Sequence, residues 1–244
     1  MLTNNKDLKG LAVRAIDGEL GTVDDLYFDD ELWTVRYLTV ETGSWLNERK
    51  VLISPLSILD INWVTRRIDL SLTRKQVEDS PNIDTHQPVS RQHEADYQRY
   101  YGYPYYWDIP AVDALQSGDS HLRSTDAVTG YHLTAKDGDI GHVDRFIVDN
   151  KSWAIRYLEV ATRNWWPGKK VLLSPAWVER VSWMDSKVFA AVTREAISTC
   201  PQQVDMTPIT REYESKIYFH YGRPPYWIAE EQSTAAAQGA LNAR

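Results

Sequence analysis

The sequence predicts a mainly β protein built as two tandem small-barrel modules, and three observations carry that reading. A shift of 120 lays residues 2–107 over residues 122–227 without a gap, and 33 of those 106 positions are identical, against roughly one in twenty by chance. Each copy opens on short apolar runs parted by Asp-Gly and Ser-Pro turns. Each copy closes on two short helical stretches and a segment dense in Tyr, Trp and Pro. The expected division is a first module at 1–107, a linker at 108–121, a second module at 122–227 and a loose tail at 228–244.

The elements follow in order. Gly10–Ile16 leads into Asp17-Gly18, a strong two-residue hairpin signal because Gly accepts positive φ at no steric cost. Leu20–Phe28 and Trp33–Val40 flank the polar turn Asp29-Asp30-Glu31. In the latter run Trp33, Val35 and Tyr37 share one face while Arg36, Leu38 and Val40 share the other, so both faces carry apolar groups, as in a small closed barrel covered from outside. Lys50–Ile53, Ile61–Val64 and Arg67–Leu72 bring the count to about six strands per module, with Ser54-Pro55 ending the fourth. The second copy repeats the plan at Gly130–Ala135, Ile140–Val148, Trp153–Val160, Lys169–Leu173, Val181–Met184 and Lys187–Val192. Thr73 and Thr193 cap short helices that stop before Pro81 and Pro201. Second helices run Ser90–Tyr101 and Thr210–Tyr221, with His93, Tyr97 and Tyr101 at helical spacing, matched by Tyr213, Ile217 and Tyr221. Aromatic extensions then run Tyr101–Trp107 and Tyr221–Trp227, where Gly and Pro are expected to break the helix.

Composition narrows the functions. With 43% hydrophobic and 25% charged residues, the chain of 244 is an ordinary globular protein, which excludes general disorder. A net charge of −7 counts against a binder of nucleic-acid backbones. The single Cys200 allows neither an internal disulfide nor a cysteine-based zinc cage. No stretch approaches the ~18 apolar residues of a membrane span, and Met1–Asp7 lacks a secretory pattern. A cytoplasmic location is the expectation.

The run Asp17–Asp25, the block Trp33–Thr42 and the segment Val51–Pro55, each repeated in the second copy, resemble the PRC-barrel family, to which the cytoplasmic domain of the photosynthetic reaction-centre H subunit belongs. The resemblance implies a six-stranded SH3-like barrel in each half. It also implies an adaptor role, with an electron-transport or stress-related assembly as the setting, and no shared catalytic residues.

Asp24 with Arg36, and Asp144 with Arg156, are expected as cross-strand ion pairs that fix register. The histidines His86, His93, His121, His132, His142 and His220 form no metal motif, and no metal or cofactor is expected. Ser54, Ser174 and Cys200 lack a nucleophile's setting, so no catalytic residue is assigned. The aromatic extensions read foremost as structural seals, each wrapping its own or its neighbour's barrel, and the gap-free duplication suggests packing across onto the partner module. Their differing positions, Tyr103 against Arg223 and Tyr105 against Pro225, are the candidates for partner specificity. With Trp107, Trp227, Trp165 and Trp166 they make up the expected interaction surface. The expected function is a non-catalytic protein-interaction or regulatory module, an intramolecular pseudo-dimer of barrels that leaves room for a homo-oligomer. An RNA- or ribosome-associated adaptor is the alternative, and an enzyme with a site unique to the second repeat comes third.

Overall fold

The computed structural model describes residues 1–81, 89, 91–107, 121–162, 169–202 and 208–232. The chain forms two compact units, the first made of Met1–Gly130 with Val143–Leu158, the second of Tyr131–His142 with the chain from Glu159 onward. Expected tracts at 82–88, at Ser90, in the linker from 108 to 120 and in the tail from 233 lie outside the described residues, as do Trp165 and Trp166.

The chain starts with a short strand β1 (Leu2–Asn4) and a single helical turn α1 (Asn5–Leu8). The first repeat's own strands are β2 (Ala12–Ala15), β3 (Gly18–Asp29), β4 (Thr34–Glu41), β5 (Lys50–Ile53), β6 (Ile58–Asn62) and β7 (Arg67–Leu70). They lie in the order β5-β4-β3-β2-β7-β6, with β2 and β7 parallel and the other neighbours along that path antiparallel. Helices α2 (Arg74–Glu78) and α3 (Arg91–Tyr101) follow. The second repeat supplies β8 (Leu122–Ser124), α4 (Thr125–Val128), β9 (His132–Ala135), β10 (Gly138–Asp149), β11 (Ile155–Ala161), β12 (Lys170–Leu173), β13 (Val178–Ser182), β14 (Lys187–Ala190), α5 (Arg194–Thr199) and α6 (Arg211–His220). Its sheet has the equivalent order β12-β11-β10-β9-β14-β13. The chain is thus mainly β, and the duplication seen in sequence is a duplication of topology.

Each sheet reaches seven strands by an exchange that the sequence reading missed. Strand β8 pairs with the end of β3, setting Leu122 opposite Asp29, while β1 pairs with the end of β10, setting Leu2 opposite Asp149. Both contacts belong to the first compact unit. Leu122 is buried in a cluster with Tyr37, Leu52, Val89 and Tyr97, bordered by Tyr27, Tyr101 and Tyr103. Burying a leucine side chain contributes about 1.5–3 kcal/mol. Phe28 and Phe146 also meet, with ring centroids 5.5 Å apart.

Local chemistry explains the recurrent residues. The two-residue turn Ile16-Asp17 joins β2 to β3, and the Asp17 carboxylate accepts the Arg74 amide at the start of α2 at 2.8 Å. Asp137 does the same for Arg194 at 2.8 Å. Gly21 is required by close approach: a Cβ there would lie 1.9 Å from the Glu41 carbonyl oxygen, and at Gly141 it would lie 2.0 Å from that of Ala161. Thr73 caps α2 in a reciprocal box with Gln76, and Thr193 and Thr210 cap α5 and α6, as expected.

Four expectations need correction. Trp33 and Trp153 are not strand residues: both are left-handed, with φ of 50° and 60°, and close the turns that precede β4 and β11. In the first of these turns Asp29 organises the backbone by accepting the amides of Glu31 and Leu32 at 2.9 and 3.0 Å, an Asx-type turn. The fifth strand starts at Ile58 rather than Ile61, and Trp63–Arg66 is turn. His93 is exposed, and α3 instead buries Glu94, Ala95, Tyr97 and Gln98. Finally, residues 226–232 are helical, because Pro225 stands just before the first turn, where its missing N–H costs nothing.

Candidate functional site

The feature that stands out is a pocket of about 750 Å³ in the first unit, within the ~300–1,000 Å³ common for ligand sites. Its wall includes Thr34–Arg36 at the start of β4, Ser54–Leu56, the β6 residues Ile58–Ile61, and Gln98 of α3. Pro104–Tyr106 of the aromatic extension and Asn150–Trp153 complete it. Leu56, Leu59 and Tyr105 are 60%, 68% and 37% exposed, so an apolar rim faces solvent.

The inner wall is held rigidly. The Tyr106 hydroxyl donates to Glu94, a buried carboxylate on α3. The Arg36 guanidinium lies over the Tyr106 ring, 3.7 Å from its centroid, and its Nε is 3.9 Å from Asp29. Such a cation–π contact contributes on the order of 0.5–2 kcal/mol. Gln98, only 3% exposed, donates from Nε2 to the Tyr37 hydroxyl at 3.3 Å. Beside it the Tyr97 hydroxyl donates to the Leu52 carbonyl at 3.1 Å and accepts the Ser54 amide at 3.0 Å. Burial pushes the Tyr97 hydroxyl well above its ordinary pKa, so it stays a neutral donor.

Three residues of the wall carry a buried polar atom with no hydrogen-bond partner among the described residues: Arg36 Nε, Gln98 Oε1 and Asn150 Oδ1. A buried group left unsatisfied costs about 1–3 kcal/mol.

The expected site residues divide. Tyr105 lines the pocket and rests on Trp107, with centroids 5.1 Å apart. Tyr103 is half-buried: it stacks on Tyr101 at 5.4 Å and packs against the buried cluster of the first unit. Trp227 lies under the Arg211 guanidinium at 4.0 Å and against Tyr218 at 5.4 Å, and exposed Arg223 donates to the Ala191 carbonyl at 3.4 Å. Tyr226 donates to buried Glu214 at 3.0 Å, and burial, reinforced by that carboxylate, pushes its hydroxyl up to about 12. Each extension thus docks on the second helix of its own repeat through a Glu–Tyr bond. The sequence carried a sign of this lock in the matched pairs Glu94/Glu214 and Tyr106/Tyr226.

The expected ion pairs are re-partnered. Asp24 pairs with Lys50 at 2.7 Å, and Arg36 with Asp29. The β3–β4 ladder sets Val23 opposite Val40 and Tyr27 opposite Tyr37, so Arg36 stands near the far end of β3 from Asp24. In the second copy Asp144 meets Lys6 at 3.0 Å and Arg145 at 3.3 Å, while Arg156 meets Asp149 at 3.6 Å. Asp25, which the reading passed over, is buried and accepts from the hydroxyls of Ser124 and Thr125 and the amides of Leu26 and Asp126. Burial raises its pKa despite those bonds. Cys200 is buried and its thiol is likewise pushed up by burial, the reverse of an activated nucleophile. His132 and His142 face each other in the β9–β10 ladder.

Among the described residues, no helix is long and apolar enough to cross a membrane. No curated protein matches the chain. The family whose description is PRC-barrel domain matches residues 4–77, the stretch from the end of β1 through α2 that carries the first repeat's strands. By that match, the first repeat is similar to a PRC-barrel domain over residues 4–77, and the second repeat shares its strand order.

Proposed function

We propose that each repeat is a six-stranded SH3-like barrel left open between its first and last strands in the sheet, and that the protein is a non-catalytic interaction module, engaging a protein partner through the pocket of its first compact unit. The observation that carries this reading is the pocket's construction. A rigid wall locked by Glu94, Tyr106 and Arg36 stands behind an exposed apolar rim of Leu56, Leu59 and Tyr105. Rigid aromatic area beside aliphatic side chains is the composition of interaction hot spots, and a preformed wall loses little entropy on binding.

The test is affinity capture from native extract with the full chain and with its Leu59→Glu and Tyr105→Ala variants. Leu59 is exposed, so Leu59→Glu should melt within about 0.5 kcal/mol of the wild type. The expected result is a protein held by the wild type and lost by both variants. A capture profile identical for all three, or one abolished by ribonuclease, overturns the reading.

A further inference from the structure

The pocket runs along β6, and β6 is a terminal strand of its sheet, paired among the described residues only with β7. Its other edge offers unpaired backbone groups. Proteins usually guard such an edge with charges and bulges. The second repeat does so: its equivalent strand β13 carries Glu179 and Arg180 on its exposed side. The register of β6 shifts between Ile58 and Asp60, which leaves Leu59 as the bulged residue, and the same shift in β13 leaves Glu179. At one bulge the chain has placed a charge, and at the other an exposed leucine.

From this we infer that the partner supplies an extended peptide segment, which adds as a strand to the free edge of β6 and sets alternate apolar side chains between Leu59 and Tyr105. This inference rests on the protein-interaction reading above. Five residues of β6 span about 17 Å at ~3.4 Å per residue, room for a segment of similar length with side chains alternating in and out. Charge adds no preference for a polyanion. Arg36 is neutralised by Asp29 and the Met1 amine by Asp149, which leaves one acid, Asp60, and one base, Lys151, on the wall. A second copy of this chain pairing edge to edge is the competing occupant, and the oligomeric state separates the two.

The probe is a displayed library of random decapeptides selected on the intact chain, with the enriched peptides then synthesised. Enrichment of apolar residues at i, i+2 and i+4 is expected. Affinity should fall at least tenfold on the Leu59→Glu protein and several-fold on Tyr105→Ala. N-methylation of backbone amides of one parity should cost at least tenfold, and of the other parity less than twofold. An i, i+3, i+4 pattern, indifference to N-methylation, equal binding to Leu59→Glu, or no enrichment overturns strand addition. So does a dimer by light scattering that Leu59→Glu dissolves. If extract capture still depends on Leu59 while the library fails, the interaction reading survives without the strand; if both fail, both fall.

Discussion

The two repeats share a topology and differ where the first one opens. Around the pocket, Leu56, Leu59, Asp60, Gln98 and Tyr105 of the first repeat stand where the second has Ala176, Glu179, Arg180, Tyr218 and Pro225. The cores differ by compensating exchange. In the first repeat Tyr103 stacks on Tyr101 beside small Ser57, whereas in the second Trp177 replaces that serine and packs on Tyr221 at 4.6 Å, with Arg223 in the tyrosine's place. Volume has been kept and its source moved, the kind of change a core tolerates. The rim obeys no such rule, because exposed positions carry no packing constraint. Divergence there is where a difference in binding can be read.

That comparison can be sharpened by experiment. The largest effect is expected at the positions both repeats need. Gly21→Ala and Gly141→Ala each drive a Cβ to 2 Å or less from a carbonyl oxygen of the facing strand, and each should cost about 4 kcal/mol in denaturant melts of the full chain. A cost under 1 kcal/mol at either site would break the claimed equivalence. Next comes the strand exchange, where the repeats are unequal. Leu122 is 5% exposed in an aromatic cluster while Leu2 is only half-buried. Leu122→Ala should therefore cost about 2–3 kcal/mol and Leu2→Ala clearly less. Equal costs would refute the asymmetry.

The smallest effect is in pH, and it has opposite signs at two aspartates. Asp25 has its pKa raised by burial, so it binds its proton more tightly folded than unfolded. Its contribution is lost as pH rises from the ordinary carboxylate value through the raised one. Burial also acts on Asp149, but the Lys151 amide, the Ser152 hydroxyl and nearby positive charge outweigh it and hold the pKa down. Its contribution is present above the ordinary value and lost as pH falls through the lowered one. Stability-against-pH curves of Asp25→Asn and Asp149→Asn should depart from the wild type in these opposite directions. A common direction would show the assignments to be wrong.

Much of the fold was legible because it rests on local signals. Lys50–Ile53 appears as β5 unchanged, and the threonine caps and the prolines after α2 and α5 fall where the chain needs them. What was not legible depended on distant residues. The tract Leu2–Asn4 is three residues long and mostly polar, with no period to detect; it is a strand only because β10 offers it an edge. Trp33 has a strong strand preference, yet the Asx turn at Asp29 overrides it. The Asp24–Arg36 pairing failed because spacing along a chain does not give ladder register, and two bulges in β3–β4 alter it further. Of the site, Tyr105 was readable from its difference between copies. The pocket itself was not, since Gln98 and Leu59 gain meaning only beside the β6 edge.

The reciprocal pairing of β1 with β10 and of β8 with β3 bears on why both copies are kept in one polypeptide. A lone ancestor of this module would have needed a second molecule to supply its seventh strand, and so would have assembled only above some concentration. Covalent fusion makes that encounter unimolecular and independent of dilution. Once one chain supplies both halves, self-symmetry no longer binds the two rims to match, and they differ, with exposed Leu59 on one and Glu179 on the other.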